Sequence, residues 1–534
     1  MKKIFLLLIF TIPAAIYAQT ELVFVYFTGK PNKSAFYANP LTELTQKSLN
    51  RRSTLGIALN DQDVPIEMSY LQALQNLGFS TTDRSKWLNG VALRVNQAQL
   101  NIIKTQPYVQ SVESFAKISS LVLKSGQYNK WESFNKNQNI QTTFNYGNAS
   151  DQIDQINLRP LHLAGFTGTG VSIAVIDTGF PTVDSGSVFS RIRNQNQIKA
   201  GYDFVTKTPN IYDPSLNSHG TVVLGAIGGF IQNTFAGSAP DADFYLYRSE
   251  NAAVEVPEEE IYWIEAAEEA DRQGVDIITS SLGYNIFDEA KYSYTYAQMN
   301  GTNSFIARGS QLAAARGIFV LVAAGNSGEQ TWHYITTPAD NEQIFSIGSV
   351  DSSGLVSPFS SYGPNSAGVT KSDAAARGTM AITVDNNTTV NVSGTSIATP
   401  IAAGGVACLL QAFPSLSRET LKAKLRQTAS LFPSTNPQIG YGILNFGGAY
   451  TSFLSTSENI FSKDFKIAPN PVKDFFTVIS AKNIDVVEIS DAAGRLIREI
   501  KSNKTIDIRD FLPGTYYLKV TSGKDVSFHK IIKQ

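Results

Sequence analysis

Cysteine is almost absent from this chain of 534 residues: there is one, Cys408. A single thiol cannot close an internal disulfide, so the fold must be stable without one. Cys408 lies in the apolar run GGVACLLQAF, which assigns it to the core as a small filler. Charge imbalance is absent too, with 44 basic and 45 acidic side chains and a formal net charge of -1. That balance leaves no electrostatic footprint for nucleic acid or an anionic membrane. Beyond the first residues, no run reaches the ~18 apolar residues of a membrane span. Histidine is scarce, with only His162, His219, His333 and His529.

The first residues, MKKIFLLLIFTIPAAIYAQT, have a basic pair, a short apolar core and small residues up to Ala18. This is the pattern of a secretory signal peptide over 1–18. Residues 19–118 alternate short strands (LVFVYFT, NGVALRVN, VQSVES) with helical stretches (LTELTQKSLNRRSTLG, QAQLNIIKTQ), which predicts a small α+β unit. Residues 119–150 are rich in Asn, Gln, Ser and Gly and read as an exposed linker. Over 151–452 strands such as VSIAVID, VDIITSSLG and IFVLVAAGN alternate with helices, which predicts a doubly wound parallel α/β domain. The glutamates at 258–260, 265, 268 and 269 lie opposite Ile261, Ile264 and Ala267, so a solvated helix face is expected. From 462 to 534 apolar and polar residues alternate between turn signals, as in a small antiparallel β-sandwich.

Ligands of an open parallel sheet gather outside the carboxyl ends of its strands. Asp177, in IAVIDTGF, stands at such an end. Alone it would pass for a cap or turn residue. His219, in NSHGT, is the one histidine followed by glycine and a run of small helical residues. An imidazole can take a proton from a serine hydroxyl when a buried carboxylate orients it. Ser396, in NVSGTSIATPIAAGG, precedes a buried apolar helix, so it sits where free N–H groups and the helix dipole favour an oxyanion. A plain N-cap would be the commoner use of such a serine. Asn326, in LVAAGNSG, follows a buried strand and can donate a second hydrogen bond to that oxyanion.

In the order Asp177, His219, Asn326, Ser396, the segments VIDTG, SHGT, AAGNSG and SGTSIATP resemble the subtilisin-like serine proteases. The resemblance implies a triad of Asp177, His219 and Ser396, with Asn326 as oxyanion donor. It implies a substrate cleft walled by Ser281, Leu282 and Gly283 and by Ala323, Ala324 and Gly325, against which a peptide adds as a strand. It implies no required cofactor. It permits a structural calcium whose site the sequence does not place, so no metal residue is assigned. Ile397 and Ile401 stand where the family often has Met and His, and Arg377 stands for a proline in KSDAAARG. Packing changes are expected at the first two and an altered loop at the third.

Residues 19–118 resemble the inhibitory prodomain of these proteases, most closely over 88–114. The last unit, with APNPVKDFFTV and LPGTYYLKV, resembles the C-terminal sorting domain of the type IX secretion system of Bacteroidetes. The expected partners are therefore protein or peptide substrates, the chain's own prodomain and the outer-membrane secretion machinery, with no nucleic acid. A monomer is expected, secreted or held at the cell surface. A non-catalytic adhesin on the same scaffold is the alternative, but such scaffolds usually lack a triad residue and none is missing here. The serine-carboxyl proteases use Glu and Asp instead, and NSHGT argues against them.

Overall fold

The computed structural model describes residues 20–117, 133–134, 144–385, 387–455, 465–480, 483–491, 496–501, 504–523 and 525–534. The signal peptide expected at 1–18 and most of the linker expected at 119–150 lie outside them. The chain divides into two units, 1–447 and 448–534.

The first unit is built on a seven-stranded, wholly parallel sheet. Its strands run across the sheet as Ala374–Arg377, Phe345–Val350, Phe319–Ala323, Ile277–Ser280, Ser172–Asp177, Asp243–Arg248 and Ile198–Asp203. Ser172–Asp177 comes first in the chain, and later strands are laid down on both sides of it. That reversal makes its carboxyl end a topological switch point, where such sheets hold their ligands. Every residue of this strand is buried, which explains its apolar run on both faces. Two apolar helices, His219–Gly228 and Thr395–Ala412, pack against each other and against the sheet. Thr395–Ala412 has the length and hydropathy of a membrane span, yet 89% of it is buried within the unit. It is a core helix.

An antiparallel sheet precedes this domain, in the order Arg84–Ser85, Gly90–Val95, Glu21–Phe27, Val109–Ser114. Its strand Glu21–Phe27 shows why LVFVYF, after Glu21, is apolar or aromatic at every position. Val23, Val25 and Phe27 face the sheet's own helices, beside Leu71, Leu74 and Ile103. Leu22, Phe24 and Tyr26 face the other way, onto Trp263, Ile264 and Phe305 of the parallel domain. Side chains alternate along a strand, so a strand covered on both sides needs apolar residues throughout.

The solvated face expected on helix Glu258–Gln273 is not observed. Glu259, Glu260 and Glu268 are buried. The N-terminal sheet covers this helix: Glu268 accepts hydrogen bonds from Trp87 N–H (3.0 Å) and Lys86 N–H (3.1 Å). Deeper in the contact, Asp271 pairs with both Arg51 and Arg52, while Asp63 pairs with Arg52 (3.0 Å) and Arg316 (3.0 Å). Each of these charges is almost fully buried, so removing one partner would leave another uncompensated.

The second unit packs a three-stranded antiparallel sheet (Lys466–Ala468, Phe475–Ile479, Thr505–Asp507) and a four-stranded one (Leu496–Lys501, Val486–Ser490, Gly514–Ser522, Asp525–Lys533). Phe476, Val478, Val487, Ile489, Leu518 and Val520 alternate inward and share one core, as the period-two pattern predicts.

Candidate active site

Asp177 ends the central strand and is fully buried. Its Oδ1 accepts a hydrogen bond from Thr178 N–H (2.7 Å), which holds the carboxylate in one orientation. His219 opens the helix His219–Gly228 and places Nδ1 2.5 Å from that same Oδ1. The backbone N–H of His219 donates to Asn217 Oδ1 (2.9 Å), which ties down the turn before the helix. Glycine at 220 is what lets the helix come this close. A Cβ there would lie 3.1 Å from Asp177 Cβ and 3.0 Å from the Phe180 ring.

Ser396 is the second residue of helix Thr395–Ala412. Its Oγ is buried and has no hydrogen-bond partner among the described residues. Pro400 sits one helical turn later and lacks an N–H, so it frees the Ser396 carbonyl from the helix ladder. Ser281 Oγ donates to that carbonyl instead, at 2.8 Å. The proline thereby couples the start of the helix to the segment Ser281–Gly283.

Asn326 is oriented by what its oxygen accepts. Thr395 N–H and Thr395 Oγ both donate to Asn326 Oδ1 at 2.9 Å. The amide nitrogen is thereby turned away from Thr395. Where it points is marked by Gly394: a Cβ at that residue would lie 2.7 Å from Ser396 Oγ, 3.5 Å from Asn326 Nδ2 and 3.6 Å from Ser396 N. A hydroxyl and two N–H donors thus converge on one small volume, kept open because residue 394 has no side chain. That is the geometry an oxyanion beside an attacked carbonyl requires.

The two segments expected to wall the cleft lie at the carboxyl ends of adjacent strands of the sheet. Ser281 and Leu282 are nearly buried and Gly283 half-buried, while Ala323 and Ala324 are buried and Gly325 lies beside Thr395 through a Gly325 N–H bond to Thr395 Oγ (3.2 Å). Thr395, Asn217 and Thr178 support the site but were not singled out from the sequence. Thr395 was visible as the middle residue of GTS; its role depends on the fold bringing residue 326 to it.

Ile397 and Ile401 are fully buried in the helix packing, as expected of packing variants. Arg377 lies within the edge strand Ala374–Arg377 and pairs with Asp151 at 3.0 Å. The residue in the proline's place therefore braces an earlier helix to the sheet edge. Among the described residues no group of three or more His, Cys, Asp or Glu could hold a metal ion. The calcium envisaged from the family has no assigned residues.

A buried acid, an imidazole bonded to it, a serine at a helix start and converging N–H donors suit nucleophilic acyl transfer. The class of protein this defines is a serine hydrolase. Residues 168–442 match the Subtilase family, residues 22–132 the Peptidase S8 propeptide domain of Bacteroidota, and residues 466–534 the secretion system C-terminal sorting domain. Subtilisin BL of Lederbergia lenta is 31% identical over 300 residues, covering 55% of this chain and 95% of the relative. A thermostable alkaline protease of Halalkalibacterium halodurans is 27% identical over 362 residues, 66% of this chain and 81% of the relative. The serine protease AprX of Bacillus subtilis is 29% identical over 311 residues, 52% of this chain and 66% of the relative. The chain belongs to the subtilase family of serine peptidases, and it carries a propeptide and an export-directing C-terminal sorting domain.

Proposed function

We propose that the protein is a secreted serine endopeptidase made as an autoinhibited precursor. Ser396 attacks the scissile carbonyl and forms an acyl-enzyme. His219 takes the serine proton and returns it to the leaving amine, and Asp177 orients and stabilises the charged ring. Asn326 Nδ2 and Ser396 N–H hold the oxyanion. The substrate strand lies along Ser281–Gly283 and Ala323–Gly325. The observation that carries this reading is the convergence of Ser396 Oγ, Asn326 Nδ2 and Ser396 N beside Gly394.

In this reading residues 1–18 direct export, 19–118 form the prodomain, 119–150 contain the maturation cut, 151–452 form the peptidase and 462–534 the type IX sorting domain. The buried ion pairs from Arg51 and Arg52 of helix Gln46–Leu55 to Asp271, with the Trp87 N–H bond to Glu268, hold the prodomain on helix Glu258–Gln273 until cleavage. Purified Ser396→Ala protein should show no casein hydrolysis and should retain its prodomain. Persistent casein cleavage by that variant would overturn the assignment.

A further inference from the structure

The helix face covered by the prodomain contains one carboxylate in an unusual setting. Glu260 is fully buried, and its oxygens accept hydrogen bonds from Tyr294 Oη (2.8 Å) and Ile306 N–H (2.8 Å). Burial pushes its carboxyl above the usual range, and the charge of Lys117 is the largest influence opposing that rise. Lys117 is the last described residue of the prodomain before residue 133. Its ammonium lies 4.4 Å from the centre of the Tyr294 ring, and its backbone N–H donates to Lys291 O at 2.6 Å. The prodomain thus seats a cation against an aromatic face with a buried carboxylate behind it.

This seat is continuous with a cleft wall. The Tyr294 ring is 6.1 Å from Phe287, and Phe287 stacks at 5.9 Å on Tyr284, the residue after Gly283. The chain reaches it from the strand Val109–Ser114, so Lys117 precedes whatever peptide bond is cut farther on. We propose that Tyr294, Phe287 and Glu260 form a subsite for a lysine or arginine side chain on the amino-terminal side of the scissile bond, and that Lys117 fills it in the precursor. The proposal rests on the reading that substrate lies along Ser281–Gly283.

Two physical effects favour such an occupant. A ring face attracts a cation most strongly where water is excluded. When the prodomain leaves, Glu260 loses its principal opposing charge, and a buried carboxylate without a counter-charge is costly. Arg308 is the competing cation. It pairs with Glu113 of the prodomain at 2.7 Å and its charge also acts on Glu260, so after maturation it could turn to Glu260 and cancel the preference.

The test uses mature enzyme and internally quenched peptides that differ at one residue, Lys, Ala or Glu, moved through each position upstream of the cut. At one position kcat/KM should fall in the order Lys, Ala, Glu, with Lys about tenfold above Ala. Glu260→Gln should collapse that ratio. Tyr294→Leu, which keeps the carboxylate, should also reduce it and reads the site if Glu260→Gln does not fold. Equal kcat/KM for the three residues at every upstream position would overturn the proposal. Titration with a fluorophosphonate separates the possible failures. Labelled enzyme without a lysine preference overturns the subsite alone, and enzyme that neither labels nor cleaves overturns the triad reading and the subsite with it.

Discussion

His219 and His162 are both buried, and His162 lies near a potential nucleophile, Cys408, on Thr395–Ala412, the helix that also carries Ser396. His219 has Asp177 at 2.5 Å, and its helix packs against Thr395–Ala412, of which Ser396 is the second residue. His162 has Tyr146 Oη at 2.6 Å on one nitrogen, and on the other Ser238 O at 3.0 Å and Cys408 Sγ at 3.5 Å. Cys408 lies deep in the helix, where burial pushes its thiol up, and burial pushes His162 down to about 4. Both shifts favour the neutral forms of that second pair. Proximity of an imidazole does not make a nucleophile. A carboxylate behind the ring, a helix start that offers N–H donors and space for a carbonyl do so together.

Breaking the first member of the comparison should have the largest effect. His219→Ala should lower kcat by about 10⁶, the size known for triad removal in a subtilisin, with thermal unfolding showing whether the fold survives. Asn326→Leu should lower kcat by about 10²–10³ with a smaller change in KM, as established for an oxyanion donor in a subtilisin. Unchanged steady-state kinetics would remove Asn326 from the site.

The second member predicts stability instead of rate. His162 titrates near 6.5 when exposed and near 4 in the fold, so the unfolded chain binds more protons between those values. The stability tied to the neutral ring is complete above about pH 6.5 and is lost as pH falls towards 4, by about 3 kcal/mol. His162→Phe should flatten that part of the unfolding curve, measured as Tm against pH. Parallel curves for variant and wild type would contradict it. Smallest of all, Cys408→Ala should cost about 1 kcal/mol of stability and leave peptide hydrolysis unchanged.

Much of the site is legible in the sequence because each member sits at a local structural boundary. Asp177 ends an apolar strand, His219 and Ser396 stand at the starts of small-residue helices, and Gly394 precedes one of them. Even the free Ser396 carbonyl follows from the four-residue spacing to Pro400. The donor that replaces the helix N–H, Ser281 Oγ, does not, since it arrives from the end of another strand. The acidic face of Glu258–Gln273 misled for a related reason. Its polar pattern is that of a solvated helix, and only the docking of a second domain's arginines and backbone N–H groups buries it. Patterning reports which residues avoid water alone; it does not report which charges meet partners across an interface.

The central claim is that Ser396 is activated by His219 and Asp177. Labelling mature protein with a fluorophosphonate and mapping the modified peptide tests it most directly. The account predicts a single adduct on Ser396, lost in His219→Ala, with no adduct on any other serine. An adduct on another serine, or labelling of Ser396 undiminished in His219→Ala, would contradict it.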